Sequence, residues 1–332
     1  MATYIKQEII TVGSIGANGF PLFRCDGFLA LQLFILHNLM EFLSFLLSGI
    51  FSFITPAGVV VDTAAENAIR SQFTTIEKLQ VRVDNAPTHQ LLQGKIEKIR
   101  IAARGLQLKQ YDFRIDALEL ETDEIAFLQR SIQQGKPKLQ KPLQAGIRLV
   151  LTQTDINKLL QSTDVLANVA KLNVNSKNYL NIDDDAVYKF ANPQFQILDR
   201  GRLFFQIELR SEDNEKPLLI KVETGIDIKK GRQIKLIETV VTVNEEQVAS
   251  QFVEGIIKNL NQRLDLRSWE GDGILIRILK LNITTSNLEI AAFVQIQPSS
   301  TTFVEKLLSP SASSTKPLTQ IKVLSANIEG VR

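Results

Sequence analysis

The 332 residues are 44% hydrophobic and 22% charged, which excludes a disordered chain and sets the expectation of one large or two modest domains with a sizeable core. A formal net charge of +2 offers no sequence-independent hold on a polyanion, so nucleic acid is excluded as an expected partner. One cysteine, Cys25, and two histidines, His37 and His89, leave no disulfide framework, no thiolate metal site and little general-base material, so neither an enzyme nor a cofactor is expected.

Residues 1–39 show no clear periodicity and read as an extension, with Met40 an alternative start. Phe28 to Val61 carries one formal charge, Glu41. A membrane-spanning helix needs about 20 apolar residues, so 40–61 reads as a hydrophobic membrane-associating segment, either an uncleaved anchor or a membrane-lying helix. It lacks the small-residue cleavage site of a secretory leader.

From Pro56 the pattern turns helical, with Val61, Ala65, Ile69 and Phe73 four apart and Asp62, Glu66 and Arg70 on the other side. Leu79 to Val83 then alternates as a strand, ended by Asp84-Asn85-Ala86-Pro87. Ile96–Gly105 and Tyr111–Thr122 are further strands, the first opposing Ile99, Ile101 and Ala103 to Lys98, Arg100 and Arg104. In the second, the apolar parity moves from Phe113 and Ile115 to Leu118 and Leu120, which requires a bulge or a zone buried on both faces.

A strand with Ile147, Leu149 and Leu151 meets Thr152-Gln153-Thr154-Asp155, an N-cap hydroxyl with an acid three residues on, followed by Ile156, Leu159 and Leu160 at helical spacing. Leu203–Arg210, Leu218–Lys229 and Ile234–Val243 read as an antiparallel meander. Leu218, Ile220, Val222, Ile226 and Ile228 share one face of it, and Lys221, Glu223 and Asp227 take the other. Asn244-Glu245-Glu246-Gln247 then introduces a helix of about five turns with Val248, Phe252, Ile256, Leu260 and Leu264 on one side. The strands Ile274–Ile283 and Leu288–Ile296 follow. Parity changes at Leu236/Ile237 and Ile278/Leu279 suggest a bent, strongly twisted sheet, or else strands covered on both faces. Residues 298–332, rich in Ser, Thr and Pro, read as a disordered tail.

No catalytic motif emerges. Asp183-Asp184-Asp185 lacks the ligand spacing of a calcium loop and reads as a solvated loop. Trp269, the only tryptophan, suits packing better than a ligand contact. Lys95, Lys98, Arg100, Arg104, Lys109 and Arg114 face only Glu97 and Asp112 within 93–114, a stripe that reads either as an attractor for anionic lipid head groups or as a solvated strand face.

The run Gly58-Val59-Val60-Val61-Asp62 with Ala68-Ile69-Arg70-Ser71-Gln72, then Leu79-Gln80-Val81-Arg82-Val83-Asp84-Asn85-Ala86-Pro87 and Gln93-Gly94-Lys95-Ile96, resembles the LmeA-like phospholipid-binding family, a bacterial group. The likeness covers roughly Met40 to Gln297. It implies an α+β fold similar to the tubular lipid-binding proteins, in which long amphipathic helices pack in a strongly curved antiparallel sheet and acyl chains lie between them. It also implies phospholipid binding in or near the cell envelope.

The expectation is therefore a non-enzymatic, membrane-associated lipid-binding domain over 62–297, with phospholipid or another amphipathic lipid and the membrane as partners. The apolar lining is expected from Ile99, Ile101, Phe113, Ile115, Ile220, Val222, Phe252, Ile256 and Leu260, and the head-group end from Lys98, Arg100 and Arg104. Glutamate at Ile101 or Ile220 should then abolish lipid retention. The alternative is a membrane-anchored scaffold with a dry core, whose protein partners the sequence does not name.

Overall fold

The structure, a computed structural model, describes residues 62–71, 73–84, 93–108, 113–133, 138–162, 165–166, 188–211 and 217–299. The apolar stretch before Asp62, Cys25, both histidines, the Asp183–Asp185 cluster and the tail from 300 lie outside these residues. Among the described residues, no helix is long and apolar enough to cross a membrane.

Two antiparallel sheets carry the fold. The strands of the first are β1 (Phe73–Asp84), β3 (Lys98–Leu108), β4 (Arg114–Thr122), β6 (Leu143–Thr152), β12 (Ile274–Ile283) and β13 (Asn287–Ile296), in the order β1-β3-β4-β6-β13-β12. Its register aligns the apolar positions in rows that cross all six strands. One row is Val81, Ile101, Leu120, Ile147, Ala292 and Ile278. Each alternating strand puts its aliphatic set on one face, so correct pairing makes those sets coincide.

Leu266 and Trp269 from a 3-10 segment (Leu266–Asp272), with Ile96 and Ile125 from the short strands β2 (Lys95–Ile96) and β5 (Ile125–Ala126), pack into the same core. The packing role expected of Trp269 is thus what the structure shows. The sides of β3 and β4 differ in how they change face. At Gly105, φ is +58°, a left-handed conformation open to glycine, and Ala103 and Leu106 on either side of it are both buried. In β4, Ala117 and Leu118 are adjacent and fully buried, so the strand is covered on both faces there.

The second sheet is a meander of β7 (Tyr188–Ile197), β8 (Leu203–Ser211), β9 (Leu218–Lys229), β10 (Gln233–Val243) and β11 (Glu246–Gln247), in the order β11-β10-β9-β8-β7. Register shifts fall at Ile237/Val240 in β10 and at Ile278/Lys280 in β12, where the apolar parity breaks in the sequence. The sheets meet where the Ile278 N–H donates to the Gly231 carbonyl in the β9–β10 turn, at 2.6 Å.

The expected architecture of long amphipathic helices packed in the sheet is corrected. Among the described residues the protein is mostly β, and the helices are short: α1 (Asp62–Arg70), α2 (Gln129–Gln133), α3 (Gln153–Gln161) and α4 (Ser250–Arg263). Three of them engage the outer edges of sheets with polar side chains. Asp62 of α1 accepts the Val83 N–H of β1 at 2.9 Å. Gln153 and Asn157 of α3 accept the N–H groups of Ile197 and Phe195 in β7 at 2.7 and 2.8 Å, and Asn157 Nδ2 returns a bond to the Phe195 carbonyl at 2.7 Å. Asn261 of α4 accepts the Leu236 N–H of β10 at 2.8 Å and donates to the same residue's carbonyl at 3.3 Å.

Local capping holds α3 in place. Thr152 has extended backbone and accepts the Asp155 N–H at 3.1 Å, as its sequence predicts. Asp155 is buried and is met by Arg114 at 3.1 Å. The Glu77 hydrogen bond first, then the Asp155 charge, raise the Arg114 pKa against an opposing effect of burial.

For α4 the sequence misleads. Asn244 and Glu245 are left-handed turn residues between β10 and β11 rather than a cap. The helix begins at Ser250, and its 14 residues make about four turns.

Asn157→Ala leaves both backbone groups of Phe195 unpaired, each costing about 1–3 kcal/mol where water cannot reach. Urea unfolding is expected to show a loss of about 2 kcal/mol, and a variant within error of the wild type would mean that α3 does not secure β7.

Candidate functional site

The two sheets bury their apolar faces to different degrees. In the first, Ile99 is 0%, Ile101 2% and Ile115 1% exposed. In the second, the register builds an apolar face in two stretches, with rows Phe195-Phe205-Val222-Val241 and Ile207-Ile220-Val243 on one side of the buried Thr224 and rows Ile226-Leu236 and Ile228-Ile234 on the other. Only part of it is closed. Phe195 and Ile197 pack with Leu160 of α3 and with Ile283 and Leu288 of the first sheet, and Ile207 and Leu209 are buried. Ile220, Val222, Ile226, Ile228, Ile234, Leu236, Val241 and Val243 are only half-buried. This half-covered aliphatic face is the feature of the described residues that most resembles a ligand surface.

This face runs into a cleft of about 620 Å³ between β9, the β7–β8 turn and β12, within the ordinary range of ligand pockets. Its floor is Leu198, Ile226, Ile228, Leu281 and Ile283, with Arg200, Asp227 and Thr285 among its polar groups. A second cleft of about 540 Å³ lies between α4 and β10, with Lys235, Glu238, Glu254 and Lys258 among its lining residues.

The residues expected to line a lipid site therefore divide. Ile99, Ile101 and Ile115 are enclosed in the first core and have no surface to offer a ligand, and Phe113 packs against that core. Ile220 and Val222 lie on the half-covered face. On α4, Leu260 is buried, Ile256 half-buried and Phe252 46% exposed, because the helix turns Val253 inward with Leu260, whereas the expected stripe runs through Val248, Phe252, Ile256, Leu260 and Leu264. The structure thus brings Ile220 and Val222 together and separates them from the set on β3 and β4.

The expected head-group cations have partners across the sheet. Lys98 pairs with Glu121 at 2.7 Å, Arg100 with Asp84 at 2.7 Å and with Glu121 at 3.3 Å, and Arg104 with Glu119 at 3.4 Å. Arg148 on β6 takes the other side of Glu119 at 3.0 Å and pairs with Glu289 on β13 at 2.5 Å. The hydrogen bond from Lys98 holds the Glu121 carboxyl below its ordinary value, as that from Arg148 does for Glu289. Alternating charges across five strands, β1, β3, β4, β6 and β13, make this a compensated solvent face. A count within 93–114 misses Glu119 and Glu121, which β4 brings opposite β3.

Sequence reading missed Arg200 and the cleft around it. The only local signal is the Arg200-Gly201 pair between two apolar runs, a turn mark, and nothing in the sequence places β12 beside that turn.

The family model of LmeA-like phospholipid-binding proteins matches residues 54–293. No curated protein and no solved structure matches the chain.

Proposed function

This chain belongs to the LmeA-like phospholipid-binding family, and on that premise we propose that it is a non-enzymatic protein that holds a phospholipid by laying acyl chain on the half-covered face of the second sheet. The observation that carries this reading is the difference between the two sheets: the same alternation closes one core and leaves Ile220, Val222, Ile226 and Ile228 partly in solvent.

Covering one such side chain with hydrocarbon gains about 1.5–3 kcal/mol if it starts fully exposed. Half-covered residues gain a fraction of that each, so four to six of them suffice for a stable hold. From Ile220 to Ile228 the strand runs roughly 26 Å at ~3.3 Å per residue, longer than the roughly 15 Å of hydrocarbon in one bilayer leaflet. A ligand of this kind is drawn from a membrane, which supports a membrane-associated location in the cell envelope. The apolar residues 40–61 would hold the chain there, with 62–297 as the ligand-bearing domain.

A second reading, a membrane-anchored scaffold with a dry core, is favoured by the closed packing of Ile99, Ile101 and Ile115. Native mass spectrometry of the purified full chain, followed by lipid extraction, separates the two. Phospholipid bound at one per chain is the expected result. A ligand-free mass that persists after incubation with phosphatidylcholine and phosphatidylglycerol vesicles would favour the scaffold.

A further inference from the structure

The geometry points to the cleft beside the β7–β8 turn as the head-group end of the lipid face, with Arg200 as the group that takes the phosphate of an anionic glycerophospholipid. This rests on the phospholipid reading above and adds a polarity to it.

Two hairpin turns lie at the same end of the second sheet. In the β7–β8 turn, Arg200 has φ 60° and ψ 23° and Gly201 has φ 70°. In the β9–β10 turn, Lys230 has φ 54° and Gly231 has φ 66°. Their shared end follows from the register, which pairs Leu203 with Thr224 and Gln233 with Lys229. Each turn carries two successive positive φ angles, a geometry that favours Asn, Asp or Gly at the first of the two positions. A long cation is a costly choice there, yet both turns carry one.

Arg200 and Lys230 make no ion pair or side-chain hydrogen bond with any described residue. By contrast, the neighbouring Arg202 is held by Glu223 at 2.5 Å and Glu238 at 3.3 Å. Arg200 lines the cleft whose floor is Ile226, Ile228, Leu281 and Ile283. A planar guanidinium with free donors beside an aliphatic floor matches an amphiphile with a phosphate at one end.

Among the described residues, the one carboxylate lining the cleft, Asp227, is occupied by Lys229 at 2.5 Å. Its hydrogen bond from Lys229 holds it below the ordinary carboxyl value. Asp199, exposed in the same turn, is a second nearby acid. The same end also carries Leu279, 70% exposed and adjacent to Ile278, which is bonded to the Lys230-Gly231 turn. An exposed leucine beside a free lysine suits approach to an anionic bilayer surface.

The test loads the full chain from vesicles of phosphatidylcholine mixed with phosphatidylglycerol and counts bound lipid by native mass spectrometry. Arg200→Gly relaxes the left-handed position, so it should melt about 2 °C higher while retaining about tenfold less phosphatidylglycerol. Arg200→Glu should lose it further. Arg200→Gly with wild-type uptake would overturn the assignment of Arg200 and leave the lipid face standing. A wild type that takes up no lipid from any vesicle would overturn both. Displacement of the lipid by an equal concentration of inorganic phosphate would mark a free-phosphate site and overturn the commitment to a lipid.

Discussion

Replacing Ile101 with glutamate is expected to unfold the protein. The side chain is 2% exposed, in the row that joins β1, β3, β4, β6, β13 and β12. The substitution loses about 1.5–3 kcal/mol of burial and places a carboxyl where no described side chain could pair with it. Even protonated, such a group costs a further 1–3 kcal/mol or more. The total, about 2.5–6 kcal/mol, reaches at its upper end the whole stability of many domains. Circular dichroism and thermal melting would register the loss. A cooperative melt at the wild-type temperature would mean that β3 does not face an enclosed core.

Ile220→Glu, chemically the same change, should have the opposite profile. Ile220 is half-buried between Ile207 and Val243, so the new carboxylate keeps contact with water, and the fold should lose only about 1 kcal/mol. A bound acyl chain would have to cover that charge. The cost, added to the lost apolar contact, predicts about hundredfold weaker phospholipid retention. The readout is bound lipid per chain by native mass spectrometry, alongside a melting curve close to wild type. Undiminished retention in the folded variant would remove the second sheet from consideration as the lipid surface. The sequence treats Ile101 and Ile220 as equivalent lining residues, and only the structure separates a stability position from a ligand position.

That separation shows what alternation in a sequence can convey. Period-2 patterning located β8, β9 and β10 of the second sheet, though not β7 or β11, and the face shared by Ile220, Val222, Ile226 and Ile228, because side-chain direction in a strand is a local property. It located the irregularities at Ile237 and Leu279 for the same reason. The Thr152 cap was legible because its partner, Asp155, lies three residues away.

Alternation says nothing about what covers a face. Ile99 and Ile220 look alike until the packing of Leu266, Trp269, Ile96 and Ile125 is known. The basic stripe was overestimated because Lys98 and Arg100 find Glu121 across a strand pair, 23 and 21 residues away. The helices were misjudged because a 3.6-residue apolar period is compatible with packing over a sheet or along its margin. The side chains that decide between these, Asn157 and Asn261, look like ordinary polar-face residues.

Those same asparagines bear on how the protein can associate. A free strand margin is a template: it lets a foreign strand, or the same strand of another copy, extend the ladder. Here Asp62 occupies the margin of β1, Gln153 and Asn157 that of β7, and Asn261 that of β10, while the Lys230-Gly231 turn meets β12. With these positions already bonded, growth by strand addition is disfavoured at each of them. A protein that must leave aliphatic surface open to receive a lipid gains most from this arrangement, because exposed apolar faces and unpaired margins together are the recipe for amyloid-like stacking.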